Sequence, residues 1–226
     1  MQAYIACGGQ GTRMRPETLM RPKSMIEVSS RPFLQHLLLL LRRNGIKDII
    51  LGTGYLGSQV KHYFHNGAYF GVNIDYSHRI RLTETGLALK LAEPLLDSEF
   101  FYVNGDTYLE LDYQEMLSRW KQSHRLAMVA ISSVKAGNCL INDQKDLICY
   151  EKGGFSQTFV DAGVWLLRKE VIGLIPEEDI SLSEGLLPRL INEQQVKTYI
   201  SQNEFYDIGT SEGLETFREY IRREIK

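Results

Sequence analysis

The residues best suited to chemistry begin with a glycine-rich loop, Gly8-Gly9-Gln10-Gly11-Thr12-Arg13, that directly follows an apolar run at residues 3–7. With no side chain at Gly8, Gly9 and Gly11, backbone N–H groups can approach a triphosphate closely, and Arg13 adds a planar fork of donors for phosphate oxygens. A second basic string, Arg21-Pro22-Lys23-Ser24-Met25, lies within one loop's reach, so Lys23 can bring a compact positive charge to the same phosphates. A dinucleotide fingerprint needs a third glycine where Met14 stands, and a P-loop needs Gly-Lys-Ser/Thr, which is absent. Asp106 and Asp207 each close an apolar, strand-like run. Either aspartate alone reads equally well as a turn or a helix cap.

These residues need a scaffold that gathers distant positions. Residues 3–7, 48–51, 72–76 and 100–103 read as strands, and residues 33–43, 58–64 and 86–91 as helices between them. That alternation predicts βαβ units and a mostly parallel sheet, with ligands beyond the carboxyl ends of its strands, where Gly8 and Asp106 fall. After a helix at 113–120 the pattern turns to strands at 127–132, 139–141, 147–150 and 159–167, with a hairpin turn at Asn142-Asp143-Gln144-Lys145-Asp146. A helix near 183–192, a strand near 197–200 and an amphipathic helix at 212–223 complete the reading. Pro32 is expected at the first position of the leucine-rich helix.

The chain has 226 residues, 43% of them hydrophobic, enough for one large α/β domain with its own core. Lys+Arg 26 against Asp+Glu 28 leave a net charge of −2, which excludes a global basic field for nucleic acid or an anionic membrane. Cys7, Cys139 and Cys149 are odd in number and lack metal-ligand spacing, so they read as buried thiols of a reducing cytoplasm. No apolar run approaches the roughly 20 residues a membrane helix needs. The five histidines form no metal pattern, and His62 and His65 read as features of a helix surface. No repeat or linker divides the chain.

The loop at Gly8, the Arg21-Pro22-Lys23 string and Arg31-Pro32 before a leucine-rich helix resemble the amino-terminal signature of the sugar-1-phosphate nucleotidyltransferase family. The resemblance continues in order through Thr85-Gly86-Leu87-Ala88, Asn104-Gly105-Asp106-Thr107, Glu151-Lys152, Asp161-Ala162-Gly163, Ser181-Leu182-Ser183-Glu184 and Tyr206-Asp207-Ile208-Gly209-Thr210. It implies a three-layer α/β/α fold of the nucleotide-diphospho-sugar transferase type. In that fold a mixed, mainly parallel central sheet carries a small β-rich sugar-binding portion, at about residues 126–167. Residues 1–226 would form a single domain, 1–125 mainly nucleotide-binding and 126–226 mainly sugar-phosphate-binding.

The resemblance also implies roles. Arg13, Lys23, Asp106 and Asp207 would be catalytic, the two aspartates holding Mg2+; oxygen ligands suit this hard cation. Gly8, Gly9, Gly11, Thr12, Arg13, Thr85 and Gly86 would bind the nucleotide. Gly137, Asn138, Glu151, Lys152, Asp161 and Gly163 would bind the sugar phosphate, with Glu151 on hydroxyls and Lys152 on phosphate. The implied reaction joins a nucleoside triphosphate to a sugar 1-phosphate and releases pyrophosphate, and homo-oligomerisation is left open. Compact size, Gly137-Asn138, Gly153 after Glu151-Lys152 and the ending at Thr210 resemble guanylyltransferases for D-glycero-D-manno-heptose 1-phosphate and related manno sugars. That makes GTP and such a heptose phosphate the expected pair. Other nucleotidyltransferases of the family, using mannose or glucose 1-phosphate, and a non-catalytic nucleotide-sugar-binding subunit are the alternatives. Asp161, where relatives often have Asn or Thr, and Thr83-Glu84-Thr85, where Leu-Gly-Thr is commoner, depart from the family pattern and bear on sugar and base.

Overall fold

The computed structural model describes residues 1–79, 83–154, 156–178 and 180–224, with only the backbone for residues 134–136. In chain order, β1 (Gln2–Ala6) runs into the glycine loop, and a small ribbon of β2 (Glu27–Val28) and β3 (Arg31–Pro32) leads into α1 (Phe33–Arg43). Then come β4 (Asp48–Thr53), α2 (Gly57–Phe64), β5 (Asn73–His78), α3 (Thr85–Ala92), β6 (Glu99–Asn104), β7 (Thr107–Leu109) and α4 (Tyr113–Ser123). The remainder holds β8 (Ala127–Gly137), β9 (Cys139–Ile141), β10 (Leu147–Tyr150), β11 (Gln157–Arg168), α5 (Leu182–Gly185), α6 (Leu187–Asn192), β12 (Val196–Ser201), β13 (Phe205–Asp207) and α7 (Ser211–Glu224).

Period-2 alternation in the strands dictates the layers, because successive side chains leave opposite faces of a sheet. Ala3 and Ile5 of β1, Phe101 and Val103 of β6, and Val164 and Leu166 of β11 enter one apolar cluster, with the leucines of α1 and with Trp120 and Phe217. Tyr4, Phe100, Tyr102, Trp165 and Leu167 enter the other, against Leu89, Leu182, Leu187 and Leu190. The result is the expected three-layer α/β/α arrangement.

Among the described residues the central sheet has nine strands. β5, β4, β1 and β6 are mutually parallel neighbours. β11 lies antiparallel between β6 and β8, and β12 adds in parallel to β8, so β8 and β12 run in the same direction as β6. β8 and β11 therefore make the β-rich portion continuous with the main sheet, and the β9–β10 hairpin extends from the start of β11. The hairpin turn forms where expected, closed by Lys145 N–H to the Asn142 carbonyl at 3.0 Å and Asn142 N–H to the Asp146 carbonyl at 3.1 Å.

Several local expectations are corrected. The helix at 183–192 is two helices, because Pro188 in the first turn of α6 lacks an N–H and its ring crowds the carbonyl of the preceding turn. Pro32 caps α1 from outside, with extended backbone, and the helix begins at Phe33. Cys149 is only half-buried on the β9–β10 hairpin, unlike Cys7 and Cys139. Among the described residues no helix is long and apolar enough to cross a membrane.

Candidate active site

Because β1, β4, β5 and β6 are parallel, their carboxyl ends share one edge of the sheet, and the loops leaving that edge enclose a cavity of about 490 Å3. Gly8, Gly9, Gly11, Thr12, Lys23 and Asp106 all contribute to its wall. Gly11 has φ 61 and ψ 36, a left-handed conformation costly for a side chain. It turns the loop into a short helical turn at Thr12–Met14. The Gly11 carbonyl accepts from Met14 N–H and from Thr18 Oγ1, each at 2.9 Å, which fixes the loop. Arg13 leaves this turn exposed, with its Nη2 3.0 Å from where a Cβ on Gly209 would stand, beside Asp207.

Lys23 opens a second helical turn, Lys23–Met25, and its Nζ pairs with Asp106 Oδ2. Asp106 is held by the turn after β6, where Gly105 N–H donates to the Ala6 carbonyl at 3.0 Å. Asp207 comes from the far end of the chain. The short antiparallel ribbon β7–β13 sets it opposite Thr107, and Ile208 N–H donates to the Asp106 carbonyl at 3.0 Å. The ribbon rests on Phe217 of α7, whose ring centroid is 5.0 Å from that of Tyr108 and 5.7 Å from that of Tyr206. The Asp207 carboxyl has its pKa raised, first by partial loss of hydration and then by the negative charge of Asp106. The Gly209 N–H, Lys23 and Arg13 pull it back. Four charged groups expected at one site thus meet there.

This donor set fits Mg2+. The charge of Asp106 raises the cost of ionising Asp207, which a cation between them would relieve. No group of three or more His, Cys, Asp or Glu side chains suited to a metal occurs among the described residues. The site therefore matches a cation that takes one or two protein carboxylates and completes its shell with water and substrate phosphate.

Of the remaining expected nucleotide residues, Thr85 lines the cavity, and its Oγ1 accepts from Leu182 N–H at 2.9 Å. Gly86 lies behind it, donating to the Ile180 carbonyl at 3.1 Å. The six expected sugar-phosphate residues form a second group around β8, β10 and β11. Glu151 N–H donates to the Asn138 carbonyl at 2.9 Å, and Asn138 Oδ1 accepts from Asp161 N–H at 3.0 Å. Gly137 pairs with Gln157 at the end of β8. The Asp161 carboxylate turns inward to accept from Gly163 N–H at 2.9 Å and Trp165 Nε1 at 2.9 and 3.0 Å. Burial nonetheless pushes its pKa up to about 6, against the pull of those two donors. Lys152 Nζ donates to Glu184 at 2.5 Å and to Ser181 Oγ at 3.3 Å. Gly163 joins the two groups: a methyl added there would come within 2.9 Å of Thr107 Oγ1 and 3.0 Å of Asn104 Nδ2.

Among the wall residues that escaped the reading of the sequence are Tyr4, Gly52 and Arg79. The strand read at 72–76 runs on to His78, which puts Arg79 at the carboxyl edge of the sheet beside Gly8. Carrying the period-2 alternation two residues further would have found it.

Residues 2–224 match the family described as Nucleotidyl transferase. The chain is 29% identical to a D-glycero-alpha-D-manno-heptose 1-phosphate guanylyltransferase of Campylobacter jejuni, over 94% of this chain and 96% of that one. It is 30% identical to a mannose-1-phosphate guanylyltransferase of Mycobacterium tuberculosis, over 94% of this chain and 62% of the relative. Among solved structures, HddC from Yersinia pseudotuberculosis superposes with a TM-score of 0.85 at 26% identity, covering 97% of this chain and 99% of that one. HddC complexed with GMP-PN superposes at 0.83 with 25% identity, covering 97% and 99% of the two chains. A match spanning nearly every residue, together with a shared fold, shows that the chain belongs to the nucleotidyl transferase family, as a sugar-1-phosphate nucleotidyltransferase.

Proposed function

We propose that the enzyme transfers a guanylyl group from GTP to the phosphate of D-glycero-D-manno-heptose 1-phosphate and releases pyrophosphate, with Mg2+ as its metal. The observation that carries the reading is the meeting of Arg13, Lys23, Asp106 and Asp207 at the mouth of a glycine-walled cavity. A sugar phosphate oxygen attacks the α-phosphorus in line, and the bond to the oxygen bridging toward the β-phosphorus breaks. Such a reaction asks for positioning and charge neutralisation more than for a covalent nucleophile. In this assignment Asp106 and Asp207 hold the metal, which when bound neutralises charge on the reacting phosphates. The backbone of Gly8, Gly9, Gly11 and Thr12 cradles the triphosphate, while Arg13 and Lys23 hold its leaving end. Thr85 and Gly86 shape the nucleoside side. Gly137, Asn138 and Gly163 line the sugar side, with Asp161 behind them. Glu151 takes sugar hydroxyls, and Lys152, released from Glu184, meets the sugar phosphate.

The choice of GTP and a manno-configured heptose follows the relatives whose length this chain covers almost entirely. The test is a matrix of the four triphosphates against heptose, mannose and glucose 1-phosphates, scored for pyrophosphate release. GTP with the heptose phosphate should give the highest kcat/KM. CTP or UTP with glucose 1-phosphate exceeding it would overturn the specificity and leave the reaction class intact.

A further inference from the structure

Three side chains of the cavity wall have a buried donor with no partner among the described residues: Ser24, beside Lys23, and the pair Tyr4 and Arg79. Tyr4 is 0% exposed and its hydroxyl makes no hydrogen bond among the described residues; Arg79 is 9% exposed and its Nε makes none either. An unpaired buried donor is costly, so two in one wall mark a place where a ligand supplies acceptors.

Arg79 is firmly aimed. Its Nη1 donates to the carbonyl of Thr83 and, at 3.0 Å, to Thr83 Oγ1. A Cβ placed on Gly8 would stand 2.5 Å from Nη2 and 2.9 Å from Nε, so the guanidinium lies against the first glycine of the loop. The Tyr4 hydroxyl sits beside Gly52 of β4, and burial raises the phenol's pKa so that it remains a neutral O–H donor. Arg79 follows β5 and Asp106 follows β6, in the strand order β5-β4-β1-β6. Three inter-strand steps separate those strand ends, about 14 Å at sheet spacing. The Arg79 guanidinium reaches back from the end of β5 to Gly8 and is bonded to Thr83, so it stands on the wall that also carries Thr83 and Thr85, with Tyr4 of β1 in the same wall. A triphosphate whose phosphates meet Lys23 directs its base to that wall.

We infer that Arg79, assisted by the Tyr4 hydroxyl, reads the acceptor edge of the base and that this edge is O6 and N7 of guanine. Guanidinium has donors and no acceptor, and guanine offers two adjacent acceptors that match its fork. Adenine replaces O6 with an amino donor, which would face the donors of Arg79. On the corresponding edge a pyrimidine has at most one acceptor. The inference rests on the assignment of GTP as substrate, and it names the side chains that make the choice.

The experiment compares kcat/KM for GTP, ATP, CTP, UTP and 7-deaza-GTP, which lacks the N7 acceptor, in the wild-type enzyme and in Arg79→Gln and Tyr4→Phe, with folding followed by circular dichroism. Wild type should use 7-deaza-GTP about 10-fold or more less well than GTP. Arg79→Gln should bring GTP down to the level of 7-deaza-GTP and abolish the gap between them. Tyr4→Phe, which removes only the unpartnered hydroxyl, should lower GTP use several-fold and keep its melting temperature. Equal use of GTP and 7-deaza-GTP by wild type overturns the inference without any variant and leaves GTP as the substrate. An Arg79→Gln enzyme that loses the same factor on both nucleotides would put Arg79 on the phosphates and overturn it as well. Unchanged GTP kinetics in Tyr4→Phe removes Tyr4 from the site. If Arg79→Gln does not fold, the wild-type comparison and Tyr4→Phe decide. A wild-type preference for a pyrimidine triphosphate sinks the GTP assignment and this inference together, and is read in the first arm alone.

Discussion

Asp207 carries an electrostatic penalty that a bound cation would remove, since partial desolvation and the charge of Asp106 both raise its pKa. On the proposed assignment Asp106→Asn and Asp207→Asn should each lower turnover by about 10²–10³ with the fold intact; Arg13→Ala and Lys23→Ala should weaken use of the triphosphate and spare the melting temperature. Pyrophosphate-release assays with and without a chelator check this, and near-normal turnover in both asparagine variants would refute it. Asp161 behaves differently. Its pKa rises from the ordinary 3.8 to about 6 because burial disfavours the charged form. The native state therefore holds a proton more tightly than the unfolded chain does. Stability from this group is complete below about pH 4 and is lost as pH rises through about 6. Asp161→Asn keeps an oxygen for Gly163 N–H and Trp165 Nε1 and removes the charge. Its melting temperature should exceed that of wild type by a few degrees at pH 8, with the difference vanishing near pH 4. Thermal scans across that range would show a constant offset if titration were not the cause.

At the scale of elements, the site depends on how closely the β6 turn approaches the end of β1. A Cβ at Gly105 would stand 2.6 Å from the Ala6 carbonyl oxygen and 2.9 Å from the Cys7 Cβ, both in the neighbouring strand segment. Gly105→Ala should push Asp106 away from the loop, cutting kcat by about 10-fold or more while KM for the sugar phosphate moves little; unchanged kcat would mean the turn has slack. The same comparison explains what the sequence made legible. β1, β4, β5 and β6 announce themselves by apolar runs that end at glycine or aspartate, so the carboxyl edge and its loop were readable. β7 and β13, three residues each, carry no period long enough to register, and they pair across nearly half of the chain. The apolar run ending at Asp207 was readable, but its pairing with β7, which brings it to Asp106, was not, and its role came from the resemblance. Arg79 was lost because β5 was ended two residues early, and the α5–α6 break because apolar spacing was followed across Pro188. Glu184, the partner of Lys152, comes from a different element and leaves no local trace, whereas Gly163 and Trp165, the partners of Asp161, share its strand β11 and take its carboxylate through local geometry that apolar patterning does not show.

For the molecule as a whole, the two apolar clusters lie on opposite faces of one sheet, and that sheet crosses the boundary between the residues proposed for the nucleotide and those proposed for the sugar. β11 takes β6 on one edge and β8 on the other. A division at residues 125 and 126 would strip β6 of its outer neighbour and leave each half with an open apolar edge. The separate fragments 1–125 and 126–226 should not fold, judged by amide exchange or circular dichroism, and mixing them should be required for any structure. Two independently folded fragments would show that the halves are autonomous. The ribbon β7–β13 also has a consequence in time. On the ribosome the loop, Lys23 and Asp106 emerge well ahead of Asp207, and β7 has no partner until β13 leaves the exit tunnel. On the proposed assignment, a nascent chain can thus carry the triphosphate loop while its second carboxylate is still missing, and nucleotidyl transfer should switch on only with one of the last strands to be synthesised.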